Sequence, residues 1–283
     1  MTNNFTFPAP HVALITGAGR GFGAGIALAF GRAGAKVCIT DVNESELAVT
    51  AAEMEAAGGE VLPLIADVSS FEAMQSAVAQ TVARWGRLDT LVSNAAIMPL
   101  VPFTQHTPDF WRKMIDVNLT GVYNGVKAAW DQMVSQGGGH LMSIASGASV
   151  RGFVDEVAYC AAKHGLEGFT KALALEAEPV NIAINTVGPG KLIKPTNITR
   201  AEWDALSPAE RAKWTDPAEL GRAFVWLASQ PPARFTGLRF DAGPIADTLT
   251  AEGWHFDFAP EKVTLYVGDM VERIERRKAK NEE

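Results

Sequence analysis

The sequence predicts an α/β fold: a doubly wound parallel sheet covered by helices on both faces, three αβα layers in one domain with a C-terminal extension. Two observations carry this. Short β-branched runs alternate with longer Ala-rich segments of helical period, and the first such run ends in a glycine-rich turn that opens a helix. Strand-helix alternation gives a parallel sheet. Right-handed crossovers then wind it doubly and leave a ligand crevice at the carboxyl ends of the strands.

In chain order, "HVALIT" leads into "FGAGIALAFGRAG", "KVCITD" into "ESELAVTAAEMEAAG", and "EVLPLIADV" into "FEAMQSAVAQTVARWG". "LDTLVSN", "HLMSIAS" and "VNIAINTV" follow, each beside a helical stretch. No repeat, low-complexity segment or linker interrupts the pattern. One domain is expected over residues 8–245, with an extension over 246–283. The stretch from Pro189 to Thr215 departs from the alternation, and its Pro, Lys and Trp content suits a substrate-side loop with short helices.

Composition narrows the class. Hydrophobic residues make up 47% of the 283 and charged residues 20%, as in a soluble globular chain with a sizeable core. The net charge of -7 argues against a nucleic-acid surface, which needs a basic face. No apolar run is long enough to span a bilayer, and the N-terminus lacks the pattern of a signal peptide. A cytoplasmic location is expected, with Cys38 and Cys160 as free thiols. The five histidines show no metal-ligand spacing, so no metal site is expected.

The turn "TGAGRGFG", Thr16 to Gly23, predicts a dinucleotide site. Gly17, Gly21 and Gly23 permit a tight turn and a close backbone approach to a pyrophosphate, beside the N–H donors of the helix start at Arg20 and Phe22. Asp41 ends the second strand at the distance where an acid accepts from the adenosine ribose hydroxyls. That favours NAD over NADP, because a fixed anion there repels a 2′-phosphate. Arg20 pulls the other way, since a guanidinium beside the turn could bind that phosphate.

In "AYCAAKHGLEGFTKALALEAE", Tyr159 and Lys163 lie four residues apart, on one face of a helix. Alone, this could be a snorkelling Lys beside a half-buried Tyr. Together with the glycine turn and the strand order, the chain resembles the short-chain dehydrogenase/reductase family in its compact branch, from about Val12 to Gly243. Further motifs carry the resemblance. "ADV" places Asp67 and Val68 on the adenine-contacting acid and its neighbour, and "SNAA" places Asn94 and Ala95 in the stretch after the fourth strand. "VNLTGVYNG" places Asn118 on the catalytic Asn, "SIASGAS" places Ser146 on the catalytic Ser, and "NTVGPG" places Pro189 and Gly190 in the turn facing the nicotinamide. Four positions depart from the pattern, one being Ala242 in "DAG", where the family usually has Asp-Gly-Gly after the last strand. Ser93 stands where the family usually has Asn and Ala96 where it usually has Gly. Lys194 stands where a Thr often anchors the carboxamide, a role Thr196 could take.

The resemblance implies an oxidoreductase interconverting a secondary alcohol and a ketone. Tyr159 would be the acid–base, ionised with help from Lys163 and a positive nicotinamide, against a free phenol pKa of about 10. Lys163 would also bond the nicotinamide ribose, Ser146 would donate to the substrate oxygen, and Asn118 would hold a proton-relaying water. A homotetramer is implied through the outer faces of the segments from Pro108 to Gln136 and Val157 to Glu178. Two readings compete: dehydratase-type chemistry on the same fold, and a non-catalytic cofactor-binding protein.

"IMPLVPF" and "GFV" border the expected pocket and are apolar, which predicts a neutral aromatic or alicyclic substrate. Arg151, Lys191 and Lys194 would instead suit a carboxylate or phosphate. In the tail, "GWHFDF" precedes a stripe of Val263, Tyr266, Val267, Met270 and Ile274 at helical spacing. The tail is either a brace on the outer surface or a larger subunit interface, or else a lid in which Trp254, Phe256 and Phe258 cover the substrate mouth of this or a neighbouring subunit.

Overall fold

The computed structural model describes residues 5–194, 198 and 200–256. The first half runs β1 (Val12–Thr16), α1 (Gly21–Arg32), β2 (Lys36–Asp41), α2 (Glu44–Ala56), β3 (Val61–Ile65), α3 (Phe71–Trp85) and β4 (Thr90–Ser93). Next come α4 (Pro108–Ile115), a π-helical turn (Asp116–Thr120), α5 (Gly121–Ser135), β5 (Gly139–Ile144) and α6 (Val157–Ala177). The described part closes with β6 (Ile182–Gly188), α7 (Arg200–Ala205), α8 (Pro208–Arg211), α9 (Pro217–Ala228), β7 (Arg239–Asp241) and α10 (Ala242–Glu252).

Local chemistry sets many of these boundaries. Asn43 and Ser70 accept from Glu46 N and Ala73 N to cap α2 and α3, and Gly86 ends α3 in a left-handed conformation. Thr107 caps α4 with Pro108 in its first turn, and Asp216 caps α9 with Pro217 likewise. The segment from Pro108 to Gln136 reads as continuous helix in sequence, yet a π turn interrupts it. That turn carries Asn118.

The strands are all parallel, in the order β3-β2-β1-β4-β5-β6-β7, a Rossmann-like doubly wound sheet. Successive strand residues feed opposite layers. Ala13 and Ile15 join a core with Phe30, Phe224, Trp226 and Leu249 under α1, α9 and α10, whereas Leu14 joins one with Met74, Val126 and Leu166 under α3, α5 and α6. The winding direction reverses between β1 and β4, so a crevice opens where both strands end. Cys38 and Cys160 are free.

Helix α10 runs through the boundary expected at 245/246. Ile245, Ala246 and Leu249 are buried in the first core, so packing continues well past the last strand. Beyond α10, Trp254 stacks on Phe5 with ring centroids 4.7 Å apart, and Phe256 stacks on Trp226 at 4.7 Å. Both rings lie on the α1–α9 side of the molecule. Phe258 and the stripe from Val263 to Ile274 lie outside the described residues, as does Thr196.

Candidate active site

The glycine turn leaves β1 at Thr16. Gly17 and Gly21 both have positive φ, +63° and +58°, where an L side chain is strained. Their surroundings differ. A Cβ on Gly17 would lie 2.6 Å from Ala95 Cα, and one on Gly23 would lie 2.4 Å from both Asn94 Nδ2 and Gly17 O. At Gly21 a Cβ would meet no heavy atom within 4 Å. Gly17 and Gly23 are thus packing requirements, while Gly21 fronts open space at the start of α1, a cradle that fits a dinucleotide pyrophosphate.

Asn94 fixes this cradle from the neighbouring strand. Its Nδ2 donates to Thr16 O and Gly17 O, each at 2.9 Å, and Thr16 Oγ1 accepts from the N–H groups of Asn94 and Ala95. Asp41 lies against the turn from β2. Its carboxylate accepts from Gly19 N at 2.9 Å and Asn43 N at 3.0 Å. Arg20 caps α1 through its backbone alone. Asp67 is exposed and accepts from the N–H and hydroxyl of Ser69, while Val68 is buried and its carbonyl accepts from Asn124 Nδ2. On the far side, Pro189 O accepts from Gly243 N at 2.9 Å, and Gly190 turns with φ +64° against Asp241.

Ser146, Tyr159 and Lys163 converge beyond β5. Ser146 caps the short turn Gly147–Ser149: its Oγ accepts from Ala148 N at 3.1 Å, leaving the hydroxyl proton to donate elsewhere. Tyr159 is buried in α6, and the Ser146 hydroxyl lies near enough to its phenol to favour the ionised form. Lys163 is buried one turn on. Its Nζ donates to Ile144 O at 2.7 Å and lies 5.5 Å from the centre of the Tyr159 ring.

The electrostatics of the chain alone differ from the sequence expectation. Burial pushes the Tyr159 phenol up to about 12, with the Ser146 hydrogen bond opposing and Glu156 and Cys160 adding to the rise. Burial pushes Lys163 down to about 8, opposed by the Glu167 carboxylate. Desolvation therefore outweighs the lowering effect of Ser146, and the resting phenol is neutral.

Asn118 is fully buried in the π turn. Its Oδ1 accepts from Ile97 N at 3.1 Å, and its Nδ2 donates to Ile97 O at 3.0 Å and Met114 O at 2.9 Å. Its side chain thus joins the 97–103 loop to α4, and Ile97 and Met114 pack around Tyr159. Ser93 is buried and its Oγ finds no partner.

The two loops expected to border the pocket expose apolar side chains: Leu100, Phe103 and Val154 are exposed, and Val101 N donates to Asp155 O at 3.0 Å, joining the loops. The three cations weighed as anion binders have internal partners. Arg151 lies over Phe153 at 4.9 Å, Lys191 pairs with Asp247, and Lys194 lies over Trp203 at 5.3 Å.

Two charged residues near this site carried no sequence motif. Glu167 lies four residues beyond Lys163, and its carboxylate meets Arg239 of β7 at 3.1 Å and Thr186 Oγ1 at 3.1 Å. Arg239 also donates through Nη2 to Ser146 O at 2.9 Å. The available signal was an acid on the buried face of a helix rich in Ala and Leu. Among the described residues no group of three His, Cys, Asp or Glu side chains could hold a metal ion, and no helix is long and apolar enough to cross a membrane.

A crevice at the switch point with a cradle for a dinucleotide, adjoining a buried Tyr–Lys pair, defines a class: nucleotide-dependent oxidoreductases of the doubly wound fold. The comparisons specify it. A family model described as short chain dehydrogenase matches residues 11–206. A trans-4-hydroxycyclohexanecarboxylate dehydrogenase of Sinomonas cyclohexanicum is 36% identical, over 84% of this chain and 94% of that protein. Carveol dehydrogenase from Mycobacterium avium, solved in complex with NAD, matches with a TM-score of 0.74 at 29% identity, over 85% of this chain and 99% of that one. An actinorhodin polyketide ketoreductase variant solved with NADPH also gives 0.74, at 30% identity, over 82% and 95%. The chain belongs to the short-chain dehydrogenase family. It is an oxidoreductase with a nicotinamide-cofactor fold.

Proposed function

We propose that the protein is an NAD-dependent dehydrogenase that interconverts a neutral secondary alcohol and its ketone, with an alicyclic or aromatic body. The observation that carries this is the convergence of the Tyr159 phenol and the Ser146 hydroxyl with the Lys163 ammonium, 5.5 Å from the centre of the Tyr159 ring. Bound, a nicotinamide ring supplies hydride transfer and, when oxidised, a positive charge in the cleft.

The chain's own groups handle the proton. In ketone reduction the neutral Tyr159 donates to the carbonyl oxygen, and in alcohol oxidation its phenolate accepts the hydroxyl proton. Ser146 donates to the same oxygen as charge develops, since its own oxygen already accepts from Ala148 N. Lys163 stabilises the phenolate and would bond the nicotinamide ribose. The carboxamide of Asn118 is committed to Ile97 and Met114, so a relay water at this residue would bind its main-chain carbonyl.

The cradle of Gly17, Arg20, Gly21, Phe22 and Gly23 would hold the pyrophosphate, Asp41 the ribose, Asp67 and Val68 the adenine edge. Asn94, Ala95, Pro189 and Gly190 would border the nicotinamide half. Asp41 supports NAD, because its carboxylate is fixed by two N–H groups where a 2′-phosphate would sit. The apolar loops and the internally partnered cations favour a neutral substrate, as does the relative named for carveol. The relative named for a hydroxycyclohexanecarboxylate supports the acidic alternative. A screen of cyclohexanol against 4-hydroxycyclohexanecarboxylate decides between them: higher kcat/KM for the acid overturns the neutral reading.

Assembly as a homotetramer through α4, α5 and α6 is supported by the half-exposed Trp111, Tyr123, Val134 and Val157 on those helices. A stable monomer in light scattering contradicts it. The free thiols suit a reducing, cytoplasmic setting.

A further inference from the structure

Tyr159, Lys163 and Glu167 follow one another at four-residue intervals, so they share a face of α6. Two of them serve the chemistry proposed above. The third is a buried carboxylate, and a carboxylate is not held in a protein interior without compensation. Its partners come from other elements. Arg239 reaches it from β7, 72 residues away in sequence, and Thr186 donates to it from β6. Both members of the ion pair are shielded, with 13% of the Arg239 side chain and 8% of the Glu167 side chain exposed.

The guanidinium does more than neutralise Glu167. Nη1 donates to Glu167 Oε1 at 3.1 Å while Nη2 donates to the main-chain oxygen of Ser146 at 2.9 Å. One rigid fork therefore bridges the helix of Tyr159 and Lys163 to the loop of Ser146. The other hydrogen bonds of Ser146 lie within the turn that it caps: its N–H donates to Ser149 Oγ, its Oγ accepts from Ala148 N, and its carbonyl also accepts from Ser149 N at 3.0 Å. These set the shape of the turn. Toward α6 the loop also packs Ala148 against Ala158 and Tyr159, and Lys163 Nζ bonds Ile144 O two residues before Ser146; the fork adds a directional, charged link at the Ser146 carbonyl itself.

We propose that Glu167 and Arg239 are positioning residues for this site: the ion pair fixes the Ser146 loop against the Tyr159 face of α6, so that hydroxyl and phenol meet in reacting register. A general fold-stabilising pair is the alternative, and energetics separate the two. Replacing a buried ion pair by apolar side chains of similar size is often neutral or stabilising, because the desolvation cost of both charges disappears. Register, by contrast, is lost with the fork. Lys in place of Arg239 keeps the charge opposite Glu167 but cannot bond two acceptors with fork geometry.

The proposal rests on the catalytic reading of Ser146 and Tyr159, so its test has one readout that needs no turnover. The full-length parent, the double variant Glu167→Leu/Arg239→Leu, the single variant Arg239→Lys and a Tyr159→Phe control are compared. Thermal unfolding, hydrogen exchange of residues 145–150, and NAD-dependent oxidation of cyclohexanol are measured for each. In the double variant the Tm stays near that of the parent, exchange in 145–150 quickens, and kcat falls by about 10–100-fold, the cost of a misplacement near 1 Å. KM for NAD stays within about twofold, since the cofactor cradle is untouched. Arg239→Lys falls between parent and double variant, and it decides by the same readouts if the double variant does not fold. Parental exchange together with parental kcat overturns the proposal. If Tyr159→Phe matches the parent the catalytic reading fails, and if cyclohexanol is not oxidised the neutral-substrate reading fails; in either case the exchange data alone decide whether the fork holds the loop.

Discussion

Lys163 Nζ lies 5.5 Å from the centre of the Tyr159 ring and donates to Ile144 O, so the ammonium is anchored to strand β5 rather than free to follow the phenol. Its charge therefore acts from a fixed point. Burial nonetheless holds the phenol up at about 12, and the Ser146 hydrogen bond pulls it down. In the proposed mechanism alcohol oxidation needs the phenolate, so its rate is expected to rise with pH, whereas ketone reduction needs the phenol and is expected to fall at high pH. Ser146→Ala removes the lowering contribution and moves the rise in oxidation to higher pH. Initial rates in both directions across the alkaline range check this, and a shift to lower pH contradicts it.

The proposed preference for NAD rests on Asp41, whose carboxylate lies beside the glycine turn with both oxygens accepting from backbone N–H groups. Asp41→Ser removes a fixed anion and leaves Arg20 as the nearest charge on the turn. The ratio of kcat/KM for NADP to that for NAD rises by at least about tenfold, in keeping with the several kcal/mol that facing like charges cost. An unchanged ratio shows that Asp41 does not select the cofactor.

Two glycines in one turn respond differently to the same change. Gly23→Ala drives a methyl into Asn94 Nδ2 and Gly17 O, so the variant loses both stability and NAD affinity. Gly21→Ala meets no protein atom and costs only its left-handed backbone, about 1–2 kcal/mol. Its methyl enters the space proposed for the pyrophosphate, so NAD affinity still falls. Calorimetric unfolding and NAD titration of both variants test the contrast, which fails if Gly21→Ala binds NAD as the parent does.

The fold order, the glycine turn, Asp41 and the row of Ser146, Tyr159 and Lys163 were legible because each is a short pattern tied to local geometry. A strand, a turn and a helix start lie within the span from Val12 to Gly23, and the helical period alone puts Tyr159 and Lys163 on one face. What escaped reading depends on distant partners. Arg239 reaches Glu167 only because β7 adds to the sheet beside β6. The π turn at Asn118 is set by bonds to Ile97 and Met114 that no periodicity encodes. Helix α10 was hidden because the Gly and Pro in "DAGPIADTLTAE" suggest a stop, whereas Ile245 and Leu249 continue the core.

The aromatic tail answers to the same packing. Trp254 and Phe256 stack on Phe5 and Trp226, on the α1–α9 side, which favours a brace over a lid for these two rings. Phe256→Ala costs roughly 2 kcal/mol, below the usual core value because the ring is only partly buried. The substrate KM stays at the parental value. A raised KM with an unchanged Tm would restore the lid.

A buried histidine pair at the opposite end of the sheet makes stability pH-dependent. His11 bonds Thr90 Oγ1 at 2.9 Å, and burial pushes both His11 and His140 down to about 4 from the ordinary 6.5. The folded chain keeps both neutral while the unfolded chain takes up protons below 6.5. Their contribution is full above that pH and is lost as the pH falls towards 4. The loss runs at about 1.4 kcal/mol per pH unit for each imidazole. Urea unfolding at pH 7, 6 and 5 reads it out, and His11→Gln flattens the slope. Equal stability at all three values contradicts the account.

The central claim is that Tyr159 moves the substrate proton, and one comparison tests it most directly: cyclohexanol oxidation with NAD by the parent and by Tyr159→Phe, followed through the reduced cofactor's absorbance. The account predicts turnover by the parent and a loss of about 10²–10⁴-fold in the variant, the usual contribution of a positioned acid–base, with NAD affinity retained. Equal rates in parent and variant would contradict it.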